Sequence, residues 1–398
     1  MKMRPMNPSH QNPGLTCPCP LLQNPLRSNP AFAPMALALA TLASCAALSP
    51  APPPPIAGAK PVDELIQPGE KHFARLWQVT FGGQNAEGYW SFAGDRLCFQ
   101  YTNDDPRQGT LWPCDRIFVT DPAGGAPVQI SNGRGVTTCS YFLPDGKSVV
   151  YASTQEWQES CPPKADHSKG YTWSVHPEYD LWVKDLTTGA EKKITDVWGY
   201  DAEATVSPRG DRIVFTSTRS GDIELWTSDL DGGNLVQVTH HLGYDGGAFF
   251  SHDGKRLVFR CTDFAPETRA ADESRYRDLL SEWKVRPQSM ELYVCNADGS
   301  DRRQITRLGG ANFAPYFTPD DQRVIFSSNH ASEKGRNFDL YAIGADGQGL
   351  ERITTYEGFD SFPMFSPVST TGGKYLAFAS NRGGSVAGET NLFVALWK

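Results

Sequence analysis

The sequence contains no G-x-S-x-G nucleophile elbow, no H-E-x-x-H zinc motif and no glycine-rich phosphate loop opening a helix. Hydrolase, metalloprotease and nucleotide-binding chemistry of the common kinds therefore has no signature here. Long apolar runs are missing too, since Ala31–Ala43 is too short to span a bilayer as a helix. Basic charge is scarce: 37 Lys and Arg stand against 45 Asp and Glu, a formal net charge of −8. An acidic chain argues against nucleic acid and against a basic membrane-docking face.

What the first 34 residues lack is acid, and they carry only Lys2, Arg4 and Arg27 as charges. The apolar run that follows ends in Leu42-Ala43-Ser44-Cys45. A short apolar run behind a positive segment suits a cleaved signal, and the small residues before Cys45 resemble the lipobox of bacterial lipoproteins. That resemblance implies lipidation of Cys45 and an exported, envelope-anchored protein facing the periplasm or the cell surface. The expected organisation is a signal peptide with lipobox over 1–45, a Pro-rich tether over 46–71 and one domain over 72–398. Removing the segment before Cys45 leaves 34 basic against 45 acidic residues, formally −11.

The domain is a repeat. An apolar β-branched residue followed by Thr or Ser falls at Val79-Thr80, Ile130-Ser131, Ile194-Thr195, Val238-Thr239, Ile305-Thr306 and Ile353-Thr354, at intervals of 51, 64, 44, 67 and 48 residues. Between the beats, Gly199–Thr239 reads as four short strands: Ala202–Val206, Arg212–Ser217, Glu224–Asp229 and Leu235–Thr239, separated by Gly/Pro/Asp turns. Four strands per period in the forties predict an all-β, six-bladed β-propeller of four-stranded antiparallel blades. Phe73–Thr80 is a fourth strand with no blade before it, and the sixth copy lacks one. The N-terminal strand is therefore expected to close the ring, which removes free sheet edges.

Six cysteines lie in the domain, at 98, 114, 139, 161, 261 and 295. An exported chain with an even count suggests disulfides. Cys139, near the start of an innermost strand, and Cys161, in the next loop of the same blade, sit at one end of the ring, which favours that pair. Cys114, in the equivalent loop one blade earlier, competes for Cys139.

Aligning the copies on their opening turns puts Asn85, Thr137, Asp201, Asp245, Asn312 and Asp360 at one position near a mouth of the channel. Two residues on are Glu87, Cys139, Glu203, Gly247, Ala314 and Phe362. The polar ring, with Glu87 and Glu203 behind it, suits a hard divalent cation or a cationic group of a partner, or else caps strand ends. Insertions build up the same mouth: 154–179 with Trp157, His167, Trp173 and His176; 262–289, where 268–283 has helical spacing with Tyr276, Leu279, Leu280 and Trp283 on one face; and 328–337 with His330 and Arg336. Long loops gathered on a rigid scaffold are where binding surfaces are built. His167, His176 and His330 form a less favoured metal set.

The runs VSPRGDRIVFTSTR (206–219) and FSHDGKRLVFR (250–260), with MFSP (364–367) and FASNR (378–382), resemble the TolB-like propeller repeats. The resemblance spans 72–398 and implies the propeller fold. Related propellers serve as envelope protein-binding modules, as covers on serine peptidases, and as lyases acting on pectin fragments with a metal on channel histidines. The six aligned channel positions hold no histidine. The sequence thus favours a non-catalytic, monomeric, membrane-tethered module that engages an envelope protein or glycan through its loop-rich mouth. The alternative is a metal-dependent enzyme or small-ligand receptor using the acidic ring, for instance one acting on polysaccharide.

Overall fold

The computed structural model describes residues 53–398 apart from 167, 169, 263, 334 and the side chain of 108. Six four-stranded antiparallel blades form a closed propeller. The blades begin with the innermost strands Gln84–Trp90, Thr137–Phe142, Asp201–Val206, Asp245–Phe250, Asn312–Phe317 and Asp360–Phe365. In the sixth blade Phe73–Gln78 pairs with Asn391–Trp397, so the N-terminal strand closes the ring as expected. Among the described residues no helix is long and apolar enough to cross a membrane.

The Thr/Ser beat has one physical cause in all six blades. Its hydroxyl accepts the third strand's backbone N–H, from Leu392 to Thr80 (2.8 Å), Ile117 to Ser131 (3.1 Å), Leu181 to Thr195, Leu225 to Thr239 and Leu340 to Thr354 (2.9 Å each), and Leu292 to Thr306 (2.7 Å). In each blade the fourth strand stops before the Thr or Ser, so the hydroxyl satisfies a buried donor that the ladder leaves over. The β-branched residue before it is buried in five copies and partly buried at Ile194.

The tether expected over 46–71 gives way to the body at Ile56, which is fully buried. Lys60–Pro61 pairs with the closing strand, and Asp63–Leu65 forms a single 3-10 turn. Glu70 is buried against Arg382. Composition marked this stretch as extended chain, but Ile56, Val62, Leu65 and Ile66 supply an apolar face that lies on the core. Cys45 and the signal segment fall outside the described residues.

Candidate functional site

Each innermost strand carries a β-bulge at its third residue or, in the first blade, its fourth. Register shifts between Ala86 and Tyr89, Thr138 and Tyr141, Ala202 and Thr205, Gly246 and Phe249, Phe313 and Tyr316, and Ser361 and Met364. The residue inside each bulge is left-handed: Glu87 (φ 53°), Cys139 (48°), Glu203 (57°), Gly247 (60°), Ala314 (51°) and Phe362 (55°). Five of the six are not glycine, so the ring holds unfavourable backbone at one level all round. A bulge re-aims a side chain, and here all six residues line the central channel.

The second aligned ring therefore faces the lumen, while the first does not. Asn85 donates to the Thr390 carbonyl (2.9 Å), Thr137 to that of Asp115 (2.9 Å) and Asn312 to that of Met290 (2.8 Å), each in the preceding blade. Asp201 accepts from Arg219 (2.7 Å) and Asp360 from Arg382 (2.8 Å). These residues and Asp245 are buried at the seams between blades; Asn85, Thr137 and Asn312 link blades through their side chains, and Asp201, Asp245 and Asp360 through their backbone N–H groups. They stand at strand ends on separate seams and do not form one ring of ligands around the channel.

Above the bulges lies a cavity of about 930 Å³ with two unlike walls. One wall is aromatic: Phe313 contacts Phe338 and Phe362 edge-on at 5.3 and 5.7 Å, and Phe359 contacts Phe338 at 5.7 Å. The opposite wall is polar. Glu203 accepts from the Tyr244 hydroxyl (2.7 Å), the Thr216 hydroxyl (2.7 Å), the Gly247 amide (2.9 Å) and the Arg260 guanidinium. Arg260 fills the place of a side chain at Gly247, where a Cβ would collide with it. Its guanidinium lies 5.2 Å from the Trp173 ring and 5.0 Å from that of Tyr244. Glu203 thus has several donors on its two oxygens and the guanidinium lies against two rings, which fixes the buried ion pair in place even though Nε of Arg260 makes no hydrogen bond.

Glu87 is different. Burial pushes its carboxyl up to about 7; the Cys139 thiol favours the ionised form, and the nearby Glu203 charge opposes it. Burial also raises Asp115, although the Thr102 hydroxyl donates to it, and lowers His176 on the same wall. A carboxyl titrating near neutrality inside a cleft is the kind of group that function uses.

The insertions roof this cavity, as expected, through links that periodicity does not reveal. Trp173–Ser174 pairs antiparallel with Lys284–Val285, stitching the second blade's insertion to the fourth's. The predicted helix is present as Arg269–Ser281 (α1). The disulfide joins Cys114 to Cys161 (Cα–Cα 5.7 Å), so the expected Cys139–Cys161 pair is corrected. Cys139 is a buried free thiol turned into the channel by its bulge, whereas Cys114 is near the start of the first blade's third strand, Trp112–Val119, and not in a loop as expected, and Cys161 lies in the second blade's insertion. Arg116 donates to the carbonyls of Gly133 (2.9 Å) and Gly135 (2.7 Å) beside the bridge.

Of the loop residues expected to bind, Trp173, His176 and Arg336 line the cavity. Trp157 is exposed away from that lining, edge-on to Trp198 at 5.6 Å. Tyr276 is buried and donates to Asp222 (2.6 Å), and Trp283 lies in a separate cleft with α1. His330 rests on Tyr341 (4.5 Å) with Nδ1 on the Ser328 hydroxyl (2.9 Å). His167 falls outside the described residues. Among the described residues no three histidines converge; the convergent acids are Glu156, Asp180 and Asp196, and the Lys193 ammonium already lies among them. The repeat pattern brings out Phe362 but not Arg260, Asp115, Gln100 or the other phenylalanines of the wall, Phe313, Phe338 and Phe359. Arg260 had a signal, since Gly247 interrupts an otherwise side-chain-bearing ring.

No family model and no curated protein matches this chain. Solved structures do. TolB from Acinetobacter baumannii is 17% identical over 75% of this chain and 64% of its own, with a TM-score of 0.49. An oligogalacturonate lyase from Vibrio parahaemolyticus is 12% identical over 85% and 96% (TM-score 0.47). A Xanthomonas campestris protein described as a gluconolactonase is 14% identical over 88% and 99% (TM-score 0.51). At such identities what is shared is architecture. The ring makes this chain a six-bladed β-propeller, and its repeat motifs resemble those of TolB-like propellers.

Proposed function

We propose that the protein is a binding module of the bacterial envelope, tethered through a lipid on Cys45, which takes a segment of a partner protein into the roofed cavity at one mouth of the ring. The observation that carries this reading is the two-sided wall: an aromatic half that accepts an apolar side chain and a polar half that fixes orientation. Its volume, about 930 Å³, is at the upper end of the range for small-molecule sites and suits a few peptide residues. A glycan end presents the same pairing of an apolar ring face and hydroxyls, and is the other partner class the walls admit.

A photo-cross-linker at Tyr171, on the cavity rim, tests the reading in cells. An adduct that disappears when Ala314→Trp fills the aromatic side supports it. An adduct indifferent to that substitution, or no adduct at all, refutes it. The enzymatic reading keeps one observation in its favour: Glu87 titrates near neutrality, where a general acid or base works well. Turnover of oligosaccharides or lactones that Glu87→Gln abolishes would place the chain among enzymes instead.

A further inference from the structure

Six seams join the blades, and at each the start of an innermost strand meets the start of the preceding blade's third strand. Three seams bring two carboxylates together: Asp180 with Asp201, Glu224 with Asp245, and Asp339 with Asp360. The backbone fixes the match, since Asp201, Asp245 and Asp360 donate their N–H groups to Tyr179, Ile223 and Phe338 at 3.1, 3.0 and 2.9 Å.

Two of these seams contain their own cations. Lys193 lies 3.8 Å from Asp180 and Arg219 lies 2.7 Å from Asp201. Arg352 lies 2.7 Å from Asp339 and Arg382 lies 2.8 Å from Asp360. At the seam between the third and fourth blades the register puts Gln237, which is neutral, where Lys193 and Arg352 stand. Aligned with Arg219 and Arg382 the sequence has Asp263, an acid. The cation that remains is Arg302, 3.8 Å from Asp245, already donating to the Cys261 sulfur (3.0 Å) and 3.9 Å from the Tyr293 ring centroid. Asp245 is 0% and Glu224 3% exposed, and no well-formed hydrogen bond reaches either oxygen of Asp245 or Oε2 of Glu224; at the other two seams one oxygen each of Asp339 and Asp360 is left over, but the second oxygen takes an arginine. Burying two carboxylates against one arginine at 3.8 Å, itself shared with a sulfur and a ring, is a costly arrangement for a fold to hold.

We propose that the seam between the third and fourth blades is a cation site, in which Glu224 and Asp245 hold a hard divalent metal ion in the place that Lys and Arg side chains fill at the two equivalent seams. The donor set is carboxylate oxygen, with the Thr239 hydroxyl beside both acids, which selects Ca²⁺ or Mg²⁺ over thiophilic metals. Burial accounts for the unusual acids when no metal is bound: it lifts Glu224 to about 8 and Asp245 to about 6, with Asp222 adding to both and Arg302 opposing. The site stands apart from the central cavity, so neither reading depends on the other.

The test uses thermal unfolding of the chelator-treated protein at pH 8, titrated with CaCl₂ and MgCl₂ over a constant KCl background. The expected result is a rise of several degrees that saturates with divalent ion and that Asp245→Asn loses. Should that variant fail to fold, Gln237→Lys decides the matter, since it supplies the built-in cation of the other seams. It should raise the transition without metal and remove the metal response. A wild-type transition indifferent to divalent ions overturns the proposal, as does a metal response that survives Gln237→Lys.

Discussion

Thr306 shows how much one hydroxyl carries in this fold. It accepts the Leu292 N–H at 2.7 Å, and both groups are buried. Thr306→Val keeps the shape and leaves that donor unpaired, a cost of about 1–3 kcal/mol; Thr306→Ser keeps the bond and should cost less. Denaturant midpoints of the two variants measure the difference. The beat was legible as a rhythm of Thr and Ser, but its cause lies in a backbone donor that no sequence shows. Glu87 gives a pH-dependent prediction with a defined sign. Its folded pKa, about 7, is above the usual 4.5, so the fold binds its proton more tightly than the unfolded chain does. Its contribution is full below about pH 4.5 and is lost as pH rises to about 7. In Glu87→Gln that slope should vanish, with the variant gaining on wild type most clearly at pH 8. The alignment on turns could find the Glu87 ring, but not its left-handed backbone, because Glu, Cys and Phe do not advertise positive φ.

At the scale of elements, α1 was readable because thirteen residues are enough for helical spacing to show. The two-residue strands Trp173–Ser174 and Lys284–Val285 are too short to have a period, so the stitch between two insertions was not readable. The disulfide was undetermined for a related reason: Cys161 lies in an insertion that has no register, and the strand cysteines Cys114 and Cys139 near the same mouth are both open to it by spacing alone. The Cys114–Cys161 bridge closes a separation of 47 residues. Replacing both cysteines with serine should cost about 2–4 kcal/mol and open the roof. Limited proteolysis should then cut within 154–179 well before the ring unfolds. Peptide mapping without reduction should recover residues 114 and 161 in one linked fragment, and alkylation of the denatured, unreduced chain should label Cys139.

On the scale of the whole molecule, closure ties the N-terminal segment to the last blade. Arg382 is fully buried and donates to Glu70 (3.0 and 3.1 Å) and to Asp360 (2.8 Å), so residue 70 is joined to the strands it precedes by some 300 positions. Trp77 on the closing strand is buried, edge-on to Tyr375 at 6.3 Å. The count of beats made the closing strand legible, but Glu70 was not, because an isolated acid in a Pro-rich stretch reads as solvated. Two shortened chains separate the roles. One starting at residue 72 keeps the closing strand and loses Glu70. It should fold with a lowered Tm, because Arg382 retains Asp360 but one of its two buried partners is gone. One starting at residue 81 leaves the sixth blade with three strands and an unpaired edge, and should give no single cooperative transition by calorimetry. If the second chain melted as sharply as the first, the ring would be held by its other seams and the N-terminal strand would be an accessory.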